Sequence, residues 1–418
     1  MDDGGGSDVS QTETKATATG KTSPLGAEYK LSGFKWFSSA TDSNISIALA
    51  RTGDPALGSR SLSLFLVPLR MPLFPDSKNP PPTAVSNGVL VHRLKNKIGT
   101  HPLPTAELSL NDTTAYLIGS LNQGVKNITP VLNITRVYSA LSSVSYLRKC
   151  MAISSAYANV RTVNGGKQLL RDTPLHIAQL ANINLTYRAL THMVFGAIHL
   201  LGKTECGVAL EEEYGRLRLL TPIVKAFAAE KACTAMEDAM TTLGGQGYME
   251  ENGIGLAIRD ALVEKIWEGT TTVLALDLVR AARDPQTMSY FHLWAKKTIS
   301  DCPQKLKTQL QTPLQLLQSG LDELSTAYQA PIPVLLPRPA LVLFGYIVSG
   351  LYLLEHAIWS HSGKEPVSET DVEVLRRWTV EAGLLKAIDE VKTARTAGSE
   401  RVAMDLEMVY GKRAMARL

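Results

Sequence analysis

Residues 172–201 read DTPLHIAQLANINLTYRALTHMVFGAIHLL. Ile177, Leu180, Ile183, Tyr187, Leu190, Val194, Ala197 and Leu201 step by three or four residues, which puts their side chains on one stripe of a long helix. Asp172-Thr173-Pro174 offers a cap followed by a first-turn proline. A second long helix is expected over about 216–243, stopped by Gly244-Gly245. Upstream of about residue 120 the period is two instead. Tyr29 and Leu31 alternate with Lys30 and Ser32, and Ile45, Ile47 and Leu49 with small residues. Leu62, Leu64 and Leu66 alternate around Ser63 and Phe65, and Ala106, Leu108 and Leu110 around Glu107 and Ser109. That is the pattern of half-buried strands.

Strands first and helices after give an α+β chain. The expected layout is an N-terminal antiparallel β-barrel or sandwich over 1–122, an α-helical bundle over 123–284 and a C-terminal helical domain over 285–418. The last boundary is set at Asp284-Pro285. Loops between the strands include a proline cluster at Pro80, Pro81 and Pro82.

Composition narrows the function. Hydrophobic residues are 44% and charged residues 20% of 418, ordinary for a globular chain, which excludes global disorder and collagen-like architecture. A net charge of +4 argues against a dedicated nucleic-acid binder. Residues 285–418 carry 15 Lys/Arg and 14 Asp/Glu, and Lys412, Arg413 and Arg417 read as a solvated tail. Cys150, Cys206, Cys233 and Cys302 form no CxxC clip, so no metal site or redox pair is expected from sequence. The start, Met1-Asp2-Asp3-Gly4-Gly5-Gly6, lacks a basic and apolar export signal, so the expected location is intracellular, in the cytoplasm or an organelle matrix. The 16 uncharged residues 339–354 fall short of the roughly 20 that span a bilayer. They include Gly345, Ser349 and Gly350, and a buried helix rather than a membrane span is expected.

The chemistry-bearing stretch is Leu243-Gly244-Gly245-Gln246-Gly247-Tyr248, followed by Ile258-Arg259-Asp260-Ala261 and Ile266-Trp267-Glu268-Gly269-Thr270. Glycines let a backbone approach a phosphate with its amides aimed at the anion. A helix C-cap followed by a turn explains the same glycines. Glu268 lies between bulky Trp267 and small Gly269, where a carboxylate can be desolvated into a better base. A glutamate favoured by a helix N-terminus explains it as well.

Taken together and in order, these pieces resemble the acyl-CoA dehydrogenase family, whose last catalytic helices carry a "GGxGY/F … RDA … I-Y/W-E-G-T" run. Upstream, Gly6-Ser7-Asp8-Val9 is similar to the family's GSD loop, and Gly33-Phe34-Lys35-Trp36-Phe37-Ser38 to its G-x-K-W-x-[ST] strand. Lys97-Ile98-Gly99 resembles its K-[LM]-G turn, and Thr135-Arg136 and Arg161 fit two further signature positions. The resemblance covers Met1 to about Arg283. Trp267, the Leu220-Thr221-Pro222…Lys225 run and the C-terminal extension look most like the AidB-like alkylation-response branch.

The resemblance implies an FAD-dependent oxidoreductase acting on an acyl-CoA thioester. Glu268 would remove the α proton while a hydride leaves the β carbon for the flavin. The Glu268 backbone N–H would help hold the thioester oxygen. Trp36, Phe37 and Ser38 would line the flavin ring. Arg161 and the turn of Gly244, Gly245 and Gly247 would reach the FAD of a neighbouring subunit, implying a homodimer or homotetramer, with Thr270 also on the cofactor side. Ser7 and Arg136 would lie on the substrate side, Thr135 and Arg136 supporting the base loop. The acyl chain and the electron acceptor stay unassigned.

Some positions depart from the family. Met1 falls inside its flavin-contacting loop, so the expectation is a chain lacking the family's N-terminal helical domain of roughly 100–150 residues. Asn164 stands for a phenylalanine, Asn133 for an acidic residue and Thr272 for a glutamine. The competing expectation is a non-catalytic or flavin-binding AidB-like protein with an assembly or protective role.

Overall fold

The computed structural model describes residues 2, 6, 8–39, 41–71 and 85–411. They fall into two compact units, Met1–Asn133 and Ile134–Leu418.

The N-terminal unit is the expected β domain. Its strands are β1 (Lys15–Ser23), β2 (Gly26–Ser38), β3 (Ile45–Arg51), β4 (Leu62–Pro68), β5 (Arg70–Met71), β6 (Val85–Ser86), β7 (Val89–Leu94) and β8 (Ala106–Ile118). One sheet runs β2-β1-β3-β4-β8-β7, and β2 also pairs with β8, which closes the sheet on itself and removes most free edges. Among the described residues, only the β1–β3 contact is parallel. Tyr29, Leu31, Ala50, Phe65, Val67, Leu110 and Ala115 fill the interior. Gly33 is required where the chain enters β1 beside β2: a Cβ there would sit 2.7 Å from Thr14 Cα. The Pro80–Pro82 cluster lies outside the described residues.

Two strands differ from their sequence reading. In β3 the alanines Ala48 and Ala50 face the core, and Ile45 and Ile47 are exposed. In β4 the inward residues are Phe65 and Val67, yet Leu62 and Leu64 are also buried. The outer face of β4 is covered by the start of the first helix, where a Cβ on Gly124 would lie 2.9 Å from Leu62 O and 2.8 Å from Leu49 Cδ2. A strand covered on both faces loses its alternation.

The first helix, α1 (Gly124–Val160), crosses the unit boundary. It ends in a short hairpin, β9 (Thr162–Val163) and β10 (Gln168–Leu169), which leads into α2 (Pro174–Glu205). Thr173 is the N-cap residue of α2 and Pro174 its first residue, as expected, although the Thr173 hydroxyl makes no cap hydrogen bond. The stripe buries Ile183, Leu190, Val194 and Ala197 fully.

The next helix, α3 (Glu211–Thr241), begins earlier than the expected residue 216. Glu211, Glu212 and Glu213 occupy its first turn, where the helix dipole favours carboxylates. From Leu217 to Ala239 α3 is buried nearly all round, so it is the central rod of the unit.

After it come α4 (Ile254–Ala261), α5 (Thr271–Ala282), α6 (Pro285–Ser300), α7 (Gln304–Gln309), α8 (Gln311–Ala327), α9 (Pro337–Ser362), α10 (Ser368–Val380), α11 (Leu384–Thr396) and α12 (Ser399–Tyr410). Asp284 caps α6, so the sequence boundary there is a helix start. The helices on its two sides share one hydrophobic core within one unit, where sequence suggested a separate domain.

Among the described residues, one helix is long and apolar enough to cross a membrane. It is α9, with 72% of its apolar window buried inside the protein. Its small residues are packing devices. A Cβ on Gly345 would lie 2.3 Å from the Phe227 ring, and Ser349 Oγ accepts the Trp378 indole N–H at 2.8 Å.

Candidate active site

The residues expected to do chemistry cluster around a short turn between a 3-10 segment, Leu262–Lys265, and α5. Glu268 sits in that turn with φ 58°, a left-handed conformation that costs a non-glycine residue about 1 kcal/mol or more. Gly269 follows with φ 104°, and Thr270 is the N-cap of α5, its hydroxyl accepting the Val273 N–H. Glu268 therefore precedes the helix rather than occupying its first turn. Its carboxylate is half-buried, and Oε2 accepts the Thr135 hydroxyl of α1 at 2.8 Å. No hydrogen bond reaches Oε1 from the described residues, so one oxygen keeps its lone pairs. The Glu268 N–H likewise donates to no backbone carbonyl among the described residues.

Two buried charges flank the turn. Lys225, fully buried on α3, donates from Nζ to Gly269 O at 2.6 Å. Burial pushes its ammonium down to about 8, against the carboxylates of Glu264 and Glu268, which push it up. Glu264, 2% exposed, accepts both the Ser139 hydroxyl of α1 and the Trp267 indole N–H on Oε2. Burial raises its proton affinity, and those two hydrogen bonds and Lys225 oppose the rise.

Arg136 does not turn toward Glu268 for its partner. Its Nη1 pairs with Asp277 of α5 at 2.7 Å, and Arg218 of α3 reaches the same carboxylate at 3.1 Å. Burial pushes the Asp277 carboxyl up, and the two guanidinium groups outweigh it, so its net shift is downward. The pair ties α1, α3 and α5 together behind the turn. The support expected of Thr135 and Arg136 is thus divided: Thr135 holds the Glu268 carboxylate and Arg136 holds the helix that follows the turn.

The expected cofactor residues divide between the units. In the N-terminal unit Trp36 and Phe37 lie where the register of β2 on β8 shifts between Lys35 and Ser38, a bulge that re-aims side chains. Phe37 is 47% exposed, a large aromatic left on the surface. The two rings meet edge to face at 6.1 Å. Lys95 Nζ sits 3.1 Å from the Trp36 ring centre and pairs with Glu107, a contact sequence reading missed. Lys35 of the same strand is structural. It is buried against Asp2, whose carboxylate also accepts the Glu13 and Thr14 amides. Ser7 lies outside the described residues.

In the helical unit Arg161 follows α1, exposed, with no side-chain partner among the described residues. Two of the three glycines have local reasons. Gly244 adopts φ 60° after α3, and a Cβ on Gly247 would stand 2.0 Å from Met240 O. Gly245 has neither requirement: a Cβ there would meet nothing within 4 Å. Within the helical unit, an open glycine backbone and an exposed arginine fit an anionic polyphosphate. Within the N-terminal unit, half-buried Trp36 and exposed Phe37 offer aromatic surface to a planar ring. Asn164, φ 53°, donates to Gln168 across the β9–β10 turn, which accounts for a polar residue there.

Sequence reading passed over Glu264, Ser139 and Asp277, and gave Lys225 no role. The signal for Glu264 was present as i, i+3 spacing to Trp267, but nothing local distinguishes it from a solvated glutamate.

Residues 2–113 match the family model of the acyl-CoA dehydrogenase middle domain, and residues 122–282 match that of the acyl-CoA dehydrogenase C-terminal domain. Acyl-CoA dehydrogenase family member 11 of Caenorhabditis elegans is 35% identical over 395 residues, 91% of this chain and 61% of the relative. Putative acyl-CoA dehydrogenase AidB of Escherichia coli is 29% identical over 276 residues, 66% of this chain and 46% of the relative. The crystal structure of Caenorhabditis elegans ACDH-11 in complex with C11-CoA matches with a TM-score of 0.81 at 32% identity, covering 99% of this chain and 68% of that one. The chain thus spans 46–61% of the length of these two curated relatives.

Proposed function

The chain belongs to the acyl-CoA dehydrogenase family, and from that premise we propose that it is an FAD-dependent oxidoreductase that introduces a double bond between the α and β carbons of an acyl-CoA thioester. The observation that carries this reading is the strained, half-buried Glu268, held through Oε2 by Thr135 with Oε1 left to take a proton.

In the proposed reaction Glu268 Oε1 takes the α proton, and the electron pair of that C–H bond becomes the new α–β bond. FAD, if bound by the residues named below, would supply the acceptor for the β hydrogen and its electron pair. Charge that builds on the thioester oxygen is met by the Glu268 N–H, which no backbone carbonyl of the described residues occupies. Thr135 fixes the carboxylate rotamer, so the base meets its target without a reorganisation cost. Trp36, Phe37, Ser38, Arg161 and Gly245 are the residues proposed to hold the cofactor, with Thr270 setting the helix start beside the base. Arg161 and the Gly244–Gly247 turn are proposed to serve a second copy's cofactor, which makes the working form a homodimer or homotetramer. The C11-CoA bound by the worm neighbour supports an acyl-CoA as substrate.

The test is spectroscopic. The purified chain, reconstituted with FAD, should show a bound-flavin spectrum that bleaches when saturated acyl-CoA is added without oxygen. A bound flavin that no acyl-CoA from short to long chain reduces would overturn the proposal.

A further inference from the structure

The base turn is strained, and a strained turn persists only where its surroundings over-determine it. Besides the backbone bond from the Trp267 N–H to Val263 O, three side-chain hydrogen bonds bear on residues 267–269, one to each. Thr135 reaches the carboxylate of Glu268 itself. Lys225 Nζ reaches the Gly269 carbonyl from the centre of the bundle. Glu264 reaches the Trp267 indole, and Glu264 is in turn fixed by Ser139 of α1. The last contact is unusual in kind. A carboxylate is kept 2% exposed, away from water, with a neutral hydroxyl and a neutral indole as its hydrogen-bond donors. Burying a carboxylate is costly, and its two hydrogen bonds and the nearby Lys225 only partly offset the cost, so keeping it here points to a role that apolar packing would not fill. The two hydrogen bonds fix the side chain directly before Glu268 and tie it to the same helix, α1, that carries Thr135.

We infer that Glu264 is a positioning residue for the base turn: through the Trp267 indole it anchors the residue before the left-handed pair Glu268 and Gly269 and so holds the geometry that presents Glu268, with Lys225 clamping the far side at the Gly269 carbonyl. This rests on the reading of Glu268 as the base, but it makes a claim about the turn that holds with or without turnover. Glu264 itself touches neither substrate nor cofactor in this account.

The experiment combines hydrogen exchange of the turn with steady-state kinetics, on the full flavin-loaded chain. Glu264→Ala removes the acceptor, Glu264→Gln keeps an oxygen acceptor without the charge, and Trp267→Phe removes only the indole donor. Glu264→Ala and Trp267→Phe should each speed amide exchange in a peptide spanning 262–273 and leave exchange in α3 and α9 unchanged. Each should lower kcat about ten- to a hundredfold with KM within about twofold, the signature of a misplaced catalytic group. Glu264→Gln should recover most of the protection and most of kcat.

An unchanged turn in Trp267→Phe overturns the inference, even if Glu264→Ala unfolds the bundle. A loss of kcat with a fully protected turn overturns it too. If the wild type shows no acyl-CoA-driven reduction, the functional reading fails, while the exchange results still decide whether Glu264 positions the turn.

Discussion

The turn at 264–270, with the proposed base Glu268, and helix α9 lie in the same unit and are built on opposite principles. α9 is held by apolar side chains. Leu341, Phe344, Ile347, Leu351 and Leu354 are fully buried, and glycine at 345 admits the Phe227 ring. Each such leucine contributes about 1.5–3 kcal/mol by leaving water. The turn buries charge instead: Glu264 and Lys225 are out of solvent, and Glu268 holds a backbone conformation disfavoured for its residue type. The two regions connect through α5, which starts at the turn and packs on α9. The contrast shows where stability is generated and where it is spent: the apolar frame carries a strained polar segment that no local preference would sustain.

If the regions are separable in this way, substitutions should divide cleanly between rate and stability. The largest effect belongs to Glu268→Gln. It keeps the shape of the side chain and an acceptor for Thr135 but cannot take a proton. Acyl-CoA-driven flavin reduction should fall at least about 10²–10⁴-fold, the usual worth of a positioned general base. Flavin content and unfolding midpoint should stay near those of the wild type. Equal stopped-flow rates for the two proteins would break the comparison at its functional end.

Leu341→Ala should do the reverse. It opens a cavity in the frame and should cost about 2–5 kcal/mol in denaturant unfolding. The rate per flavin-loaded molecule should not change. A loss of rate larger than the loss of folded protein would show that the turn senses the frame continuously.

The same contrast explains what sequence made legible. The stripe on α2, the closed sheet and the burial of 339–354 follow from hydrophobic period, because apolar side chains act additively and locally. Sequence reading failed where a second layer intervenes, as on β4, whose outer face is covered by the start of α1. It also failed at β3, where small Ala48 and Ala50 face in and Ile45 and Ile47 face out, a choice made by space in the barrel. At the site, Glu268 was legible only through the order of distant motifs. Glu264 and Ser139 are 125 residues apart in sequence, and a buried hydrogen bond at that separation leaves no periodic trace. The division of Thr135 from Arg136 depends on Asp277, another long-range partner.

Lys225 offers a titration of the polar region alone. Its ordinary value is 10.5 and its folded value is about 8. Between those values the unfolded chain binds the proton and the folded chain does not, so raising the pH favours the folded state. The destabilising contribution is fully present below about pH 8 and is relieved as the pH rises toward 10.5. Lys225→Met removes the group. Urea unfolding of both proteins across that window should show the wild type gaining stability relative to the variant. A difference independent of pH would mean that Lys225 stays protonated in the folded state, paired more tightly with Glu264 and Glu268 than its burial implies.

The smallest effect tests the strain itself, by asking whether one chemical change has opposite signs in the two regions. At position 357, a buried residue in the C-terminal half of α9, Ala357→Gly should destabilise by about 1 kcal/mol, because glycine loses more backbone freedom in a helix and buries less. At position 268 the comparison is between Glu268→Ala and Glu268→Gly, both of which delete the carboxylate and the Thr135 hydrogen bond. With φ at 58°, the Cβ of alanine crowds its own backbone and glycine has none to crowd. The glycine variant should therefore be the more stable by about 1 kcal/mol, although its unfolded chain has more entropy to lose. Thermal unfolding of the three variants beside the wild type reads both signs in one set of measurements. Should alanine at 268 match or exceed glycine, the turn would not be strained, and the frame would be holding nothing that it has to restrain.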